Sequence, residues 1–157
     1  MIFLDTHVVV WMYAGLVERF SAVCSDALEK HDLVVSPMVM LELQYLHETG
    51  RLTADAHTVL AVLTKTVGLQ VSELAFNNVI LDALAQGWTR DPFDRIIVAQ
   101  AAVEGIPLLT KDETIRKHYR YAFWDKAPVI PGGAPVRGKR KSRMKKDDER
   151  RGKQEKG

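Results

Sequence analysis

Cysteine occurs once, as Cys24, so no intrachain disulfide can form and the fold must rest on burial. Such sparse thiol usage fits a reducing compartment and leads us to expect a cytoplasmic protein. Long apolar runs are also missing: none approaches the ~18 residues of a bilayer-spanning helix, which argues against a membrane protein. The apolar start, MIFLDTHVVVWMYAG, has no basic leader and is interrupted by Asp5. It reads as a strand and a helix rather than a signal peptide. There is no internal repeat, and no Cys/His spacing suggests zinc. With 46% hydrophobic residues in 157, full disorder is excluded and one domain is expected.

Net charge is small, +2, but unevenly spread. Residues 137–157 carry eleven basic residues and four acids, net +7, whereas residues 1–136 carry eleven basic and sixteen acidic residues, net −5. The sequence PGGAP (131–135) marks the seam. We expect a folded domain over 1–130 and a basic tail over 131–157. The tail has too little apolar surface to offset its ordering entropy and is expected to be disordered.

Within the body, short apolar runs alternate with helical patterns. Ile2-Phe3-Leu4, Leu33-Val34-Val35 and Pro107-Leu108-Leu109-Thr110 read as buried strands, with weaker candidates at 69–71 and 121–124. Helices are predicted after Asp5-Thr6, from Phe20, after Ser36-Pro37, after Thr53 as cap, over 75–85, and after Asp91-Pro92 up to Gly105. The expected inward faces include Phe20, Val23, Cys24, Ala27 and Leu28 in the second helix, and Met38, Leu41, Tyr45 and Leu46 in the third. They also include Val59, Leu60, Leu63 and Val67; Phe76, Val79, Ile80, Ala83 and Leu84; and Phe93, Ile96, Ile97, Gln100 and Val103. Strands apolar on both faces and separated by helices predict a three-layer α/β/α sandwich with a central parallel sheet.

Four carboxylates stand where such a fold places ligands, beyond the carboxyl ends of strands or beside buried helix faces. Asp5 ends the first strand, Asp112 follows the third clear strand, and Glu42 and Asp94 border apolar helix stripes. Each also has an ordinary reading: Asp5 and Asp112 as helix caps, Asp94 as a partner of the helix dipole. Glu42, in mid-helix beside the core, is the hardest to dismiss. Asp91 reads as a turn or cap residue, and Asp26, Asp55 and Asp82 as solvated faces. If the four meet, their mutual repulsion calls for a cation, and all-oxygen ligation suits Mg²⁺ or Mn²⁺. Such a site is suited to phosphodiester hydrolysis.

The segments LDTHVVVW (4–11), SPMVMLEL (36–43), DPFDRIIVAQA (91–101) and LLTKDE (108–113) resemble, in order and spacing, the conserved blocks of the PIN domain. The likeness is to the small VapC-type toxins of bacterial toxin–antitoxin pairs and covers roughly residues 1–125. It implies a Mg²⁺- or Mn²⁺-dependent endoribonuclease, often homodimeric, held inactive by a cognate antitoxin. Its acidic quartet falls on Asp5, Glu42, Asp94 and Asp112, as both metal ligands and catalytic residues. Thr6, Arg95 and Thr110 fall on its supporting polar, substrate-side positions. Arg90 stands where relatives often have His, and the basic tail is not part of the usual short domain. A DNA nuclease on the same quartet, or an RNA-binding module without turnover, stays open at this point.

Overall fold

A computed structural model describes residues 1–128; the boundary at 130 and the basic tail lie outside the described residues. Five short strands form one parallel sheet: β1 (Ile2–Leu4), β2 (Leu33–Val35), β3 (Gln70–Val71), β4 (Leu108–Leu109) and β5 (Ala122–Phe123). Their order is β3-β2-β1-β4-β5. Phe3 of β1 is in register with Val34 of β2 on one side and Leu108 of β4 on the other. Strands β1, β2 and β4 are fully buried, as their unbroken apolar runs demand. Seven helices flank the sheet: α1 (Thr6–Tyr13), α2 (Ala22–Lys30), α3 (Pro37–Glu48), α4 (Ala56–Val67), α5 (Phe76–Ala85), α6 (Pro92–Glu104) and α7 (Glu113–His118). The expected α/β/α sandwich is therefore the fold observed. Among the described residues no helix is long and apolar enough to cross a membrane.

The chain moves outward from β1 through β2 to β3, then returns to add β4 and β5 on the other side. The strand order thus reverses at the β1–β4 boundary. A crevice opens at such a reversal because the connections leaving the two strands diverge to opposite sides of the sheet. Asp5 leaves β1 at that boundary, and Thr110 and Asp112 leave β4.

Local chemistry explains the helix starts. Asp5 caps α1, Ser36 caps α3 by accepting from Met38 N at 3.1 Å, and Asp91 caps α6 by accepting from Phe93 N at 2.8 Å. Pro follows both Ser36 and Asp91, where its missing N–H costs nothing. Helix α6 stops at Gly105, whose φ of +63° suits glycine. Cys24 is a buried core residue, as expected.

Several expectations need correction. Thr53 does not cap the fourth helix; Asp55 does, with its carboxylate accepting from Thr58 N at 2.7 Å, so Asp55 is no mere solvated residue. The second helix starts at Ala22, after a Ser21 cap, rather than at Phe20. In α3 the buried pair is Val39 and Leu43, whereas Leu41 and Tyr45 are exposed. The segment PMVMLEL is apolar nearly all round, so periodicity alone could not choose the face. In α5, Val79 and Ala83 are buried but Phe76 and Leu84 face solvent, and in α6 Val103 is exposed. These apolar side chains satisfy helical spacing yet stay exposed, Tyr45 with its ring near that of Phe93, at a centroid distance of 5.9 Å.

Candidate active site

Asp5 is buried at the end of β1 and held from three sides. Its Oδ1 accepts the Thr6 backbone N–H at 2.7 Å, and its Oδ2 accepts the Thr110 hydroxyl at 2.6 Å. His7 Nδ1 lies 3.2 Å from the same Oδ2. The Thr110 hydroxyl oxygen accepts the Asp112 N–H at 3.0 Å, tying the β4–α7 turn to Asp5. Asp112 caps α7 through Oδ1, which accepts from Ile115 N at 2.9 Å. The Thr6 hydroxyl donates a short hydrogen bond to Glu42 Oε2. Thr6 therefore binds Asp5 with its backbone and Glu42 with its side chain.

Asp94 sits in the first turn of α6, half-buried. Burial pushes its carboxyl up to about 7, assisted in turn by Asp91, Asp5, Asp112 and Glu42. The Glu42 carboxyl is also raised, first by burial and then by Asp5 and Asp91, against the lowering effect of the Thr6 hydrogen bond. Asp5, Glu42 and Asp112 all lie within electrostatic reach of Asp94. Asp91 belongs to the same field, although its carboxylate caps α6. Among the described residues no Lys or Arg pairs with any of these acids; the ion pairs present are His7–Asp5 and Lys30–Asp26.

A donor set of four carboxylates without cationic partners fits a hard divalent ion. Among the described residues, no three His, Cys, Asp or Glu groups are gathered tightly enough to hold one ion. Two hollows elsewhere, one of about 160 Å³ lined by Met1, Ile2, His31 and Pro107 among others, are lined by none of the four acids.

Thr6 and Thr110 are buried and commit their hydroxyls to the acids. Arg95 is half-buried, with Nε donating to Thr89 O at 2.8 Å. His7 is not among the residues that the sequence singles out. Its Nε2 accepts from Lys111 N at 2.9 Å, which makes the ring the neutral Nδ1–H tautomer donating to Asp5. His7 therefore joins the β1 and β4 acid-bearing turns, and its position two residues after Asp5 was the available signal. Replacing His7 with Ala is expected to lower stability by about 1–2 kcal/mol in urea melts, because Asp5 loses a hydrogen bond to a charged acceptor. His7→Asn, which can keep the donor to Asp5, is expected to recover part of that loss; equal melts for all three proteins would remove the bridge.

Comparisons with known proteins identify the family and the fold. A family model described as the PIN domain matches residues 2–121. Ribonuclease VapC22 from Mycobacterium tuberculosis is 33% identical over 123 residues, covering 74% of this chain and 91% of the relative. Among solved structures, a toxin–antitoxin complex from Klebsiella pneumoniae contains a similar chain, with a TM-score of 0.57 at 14% identity, covering 81% of this chain and 99% of that one. VapBC2 from Rickettsia felis, bound to a DNA fragment from their promoter, gives 0.54 at 16% identity, covering 74% and 92%. At such identities these two structures speak to the fold alone.

Proposed function

The chain belongs to the PIN-domain family, and from that premise we propose that it is a divalent-metal-dependent endoribonuclease, the toxin of a toxin–antitoxin pair. The observation that carries this reading is the cluster of Asp5, Glu42, Asp94 and Asp112, drawn from four segments, with no Lys or Arg paired to it among the described residues. The relative's name, a ribonuclease, supports RNA as substrate. We infer an antitoxin as partner; one neighbour of the same fold comes from a toxin–antitoxin complex. We assign protein contacts, with an antitoxin or a second copy, to apolar side chains left exposed on α3 and α5, among them Tyr45, Phe76, Leu81 and Leu84.

In this reading Asp5, Asp94 and Asp112 would hold Mg²⁺ or Mn²⁺, and Glu42 would join them directly or through water. When bound, the ion supplies Lewis-acid neutralisation of charge on the phosphoryl group and acidifies water. Glu42 takes the proton from the attacking water. Burial and the neighbouring acids raise its carboxyl pKa, which makes it a stronger proton acceptor than an ordinary exposed glutamate. Thr6 sets the distance between Asp5 and Glu42, and Thr110 fixes Asp5 against the β4 turn. Both threonines are positioning residues rather than substrate contacts. Arg95 still has guanidinium nitrogens free of its Thr89 bond to meet a phosphate.

The test is a cleavage time course on matched single-stranded RNA and DNA, with Mg²⁺, Mn²⁺ or EDTA. Cleavage of RNA only, abolished by EDTA, is expected. DNA cleavage at an equal rate would transfer the site to a DNA nuclease, and metal-dependent binding without cleavage would make it a binding module.

A further inference from the structure

Arg19 and Lys111 come from opposite ends of the domain, yet both direct their charge at one ring. The Arg19 guanidinium carbon lies 5.2 Å from the Trp11 ring centroid and the Lys111 ammonium 5.8 Å from it. Among the described residues neither makes an ion pair. Arg90, Arg95 and Arg116 each donate to a backbone carbonyl, and Arg120 lies over the Tyr121 ring at 4.8 Å; only the Trp11 ring carries two cations among the described residues. The Trp11 ring packs edge-on against Phe20 and Trp124, at centroid distances of 6.2 and 5.9 Å. It also meets His7 at 5.0 Å, and His7 is bonded to Asp5. Lys111 itself stands between Thr110, which holds Asp5, and Asp112.

The ring attracts each cation, and no carboxylate among the described residues neutralises either charge, so both stay available to an anion. The catalytic acids act the other way, because a net negative body with a carboxylate cluster repels a polyanion. We propose that Arg19 and Lys111, seated on Trp11, form a subsite for a phosphodiester of single-stranded RNA flanking the scissile bond. The inference rests on the nuclease reading above and names where its substrate strand is held. Holding the adjacent phosphate offsets the repulsion at the reaction centre, to which Trp11 is linked through His7, whose ring it meets and which is bonded to Asp5.

The experiment uses the full chain with Arg19→Gln, Lys111→Gln, the double variant and Arg19→Lys. Both positions are exposed, so the fold is expected to survive. Cleavage of a mixed-sequence single-stranded RNA is followed at saturating Mn²⁺ across salt concentrations of roughly 50–200 mM, the range over which phosphate binding responds most clearly. In parallel, binding of a 2′-O-methyl strand of the same sequence is measured by anisotropy. The glutamine variants are expected to raise KM and Kd several-fold with kcat unchanged. The log–log salt slope is expected to flatten by roughly 0.7 for each phosphate that is no longer neutralised. Arg19→Lys is expected to stay near wild type. Unchanged KM, Kd and salt slope in the double variant, with the wild type cleaving normally, would overturn the subsite, even if the pair served a protein partner. If the wild type never cleaves, the nuclease reading fails, and the 2′-O-methyl strand still decides whether the two cations hold RNA.

Discussion

Asp94→Asn is expected to lower kcat for RNA cleavage by about 10²–10⁴-fold, the rate equivalent of losing several kcal/mol of charge stabilisation. Asparagine keeps the side chain's shape and removes one charge from a cluster that includes Asp91, Asp5, Asp112 and Glu42. The same change is expected to stabilise the metal-free protein near pH 8, where wild-type Asp94 is ionised against those neighbours. Catalysis and stability therefore move in opposite directions, which generic damage to the fold would not produce. Metal sharpens the contrast. An ion at about 100 times its Kd stabilises a folded protein by ~2.7 kcal/mol, so Mn²⁺ should raise the wild-type melting temperature clearly and the variant's much less. Calorimetry with and without Mn²⁺ checks this. Equal shifts in the two proteins would remove Asp94 from the ligand set.

The second large effect is a pH dependence of metal-free stability. The folded Asp94 carboxyl titrates at about 7, against an ordinary 3.8. Below the ordinary value both folded and unfolded chains are protonated there, and the contribution is fully present. Between the two values the folded protein keeps a proton that the unfolded chain has released. Stability therefore falls as pH rises through this window, and above about 7 the contribution is gone. Glu42, also raised by burial, acts with the same sign. His31, lowered first by burial, acts with the opposite sign, since the unfolded chain binds a proton that the fold does not. The difference between wild type and Asp94→Asn isolates the Asp94 contribution, because the His31 contribution is common to both. Urea melts from pH 4.5 to 8.5 without metal are expected to show the wild type losing stability relative to the variant as pH rises, then running parallel above about 7. A constant difference across the range would mean that Asp94 titrates normally.

Much of this arrangement was legible in the chain. Strands β1, β2 and β4 declare themselves because a parallel strand covered on both faces needs consecutive apolar residues. The Ser36-Pro37 and Asp91-Pro92 helix starts carry their capping chemistry in two residues. The four acids drew attention through placement: two after strands, two beside buried helix faces. Other features depend on partners far away in sequence. Which face of α3 is buried follows from what packs on it, so Leu41 and Tyr45 could not be separated from Val39 and Leu43 by spacing. His7 looked like any residue in the first turn of a helix; its role needs the Lys111 N–H, brought up by the β1–β4 pairing. The buried Ser36–Gln100–Ser72 hydrogen-bond chain, at 2.9 and 2.8 Å, likewise exists only once β2, β3 and α6 are assembled. Gln100 was placed on the inward face without a reason for a polar residue there.

The central claim is that four carboxylates share one divalent ion. The most direct measurement is an anomalous difference map from crystals of the protein grown with Mn²⁺. The predicted result is a peak bonded directly to Asp5 and to at least one of Asp94 and Asp112, with Glu42 bonded or one water away. A saturating Mn²⁺ concentration that leaves the quartet without a peak, or a sole peak elsewhere on the domain, would contradict it.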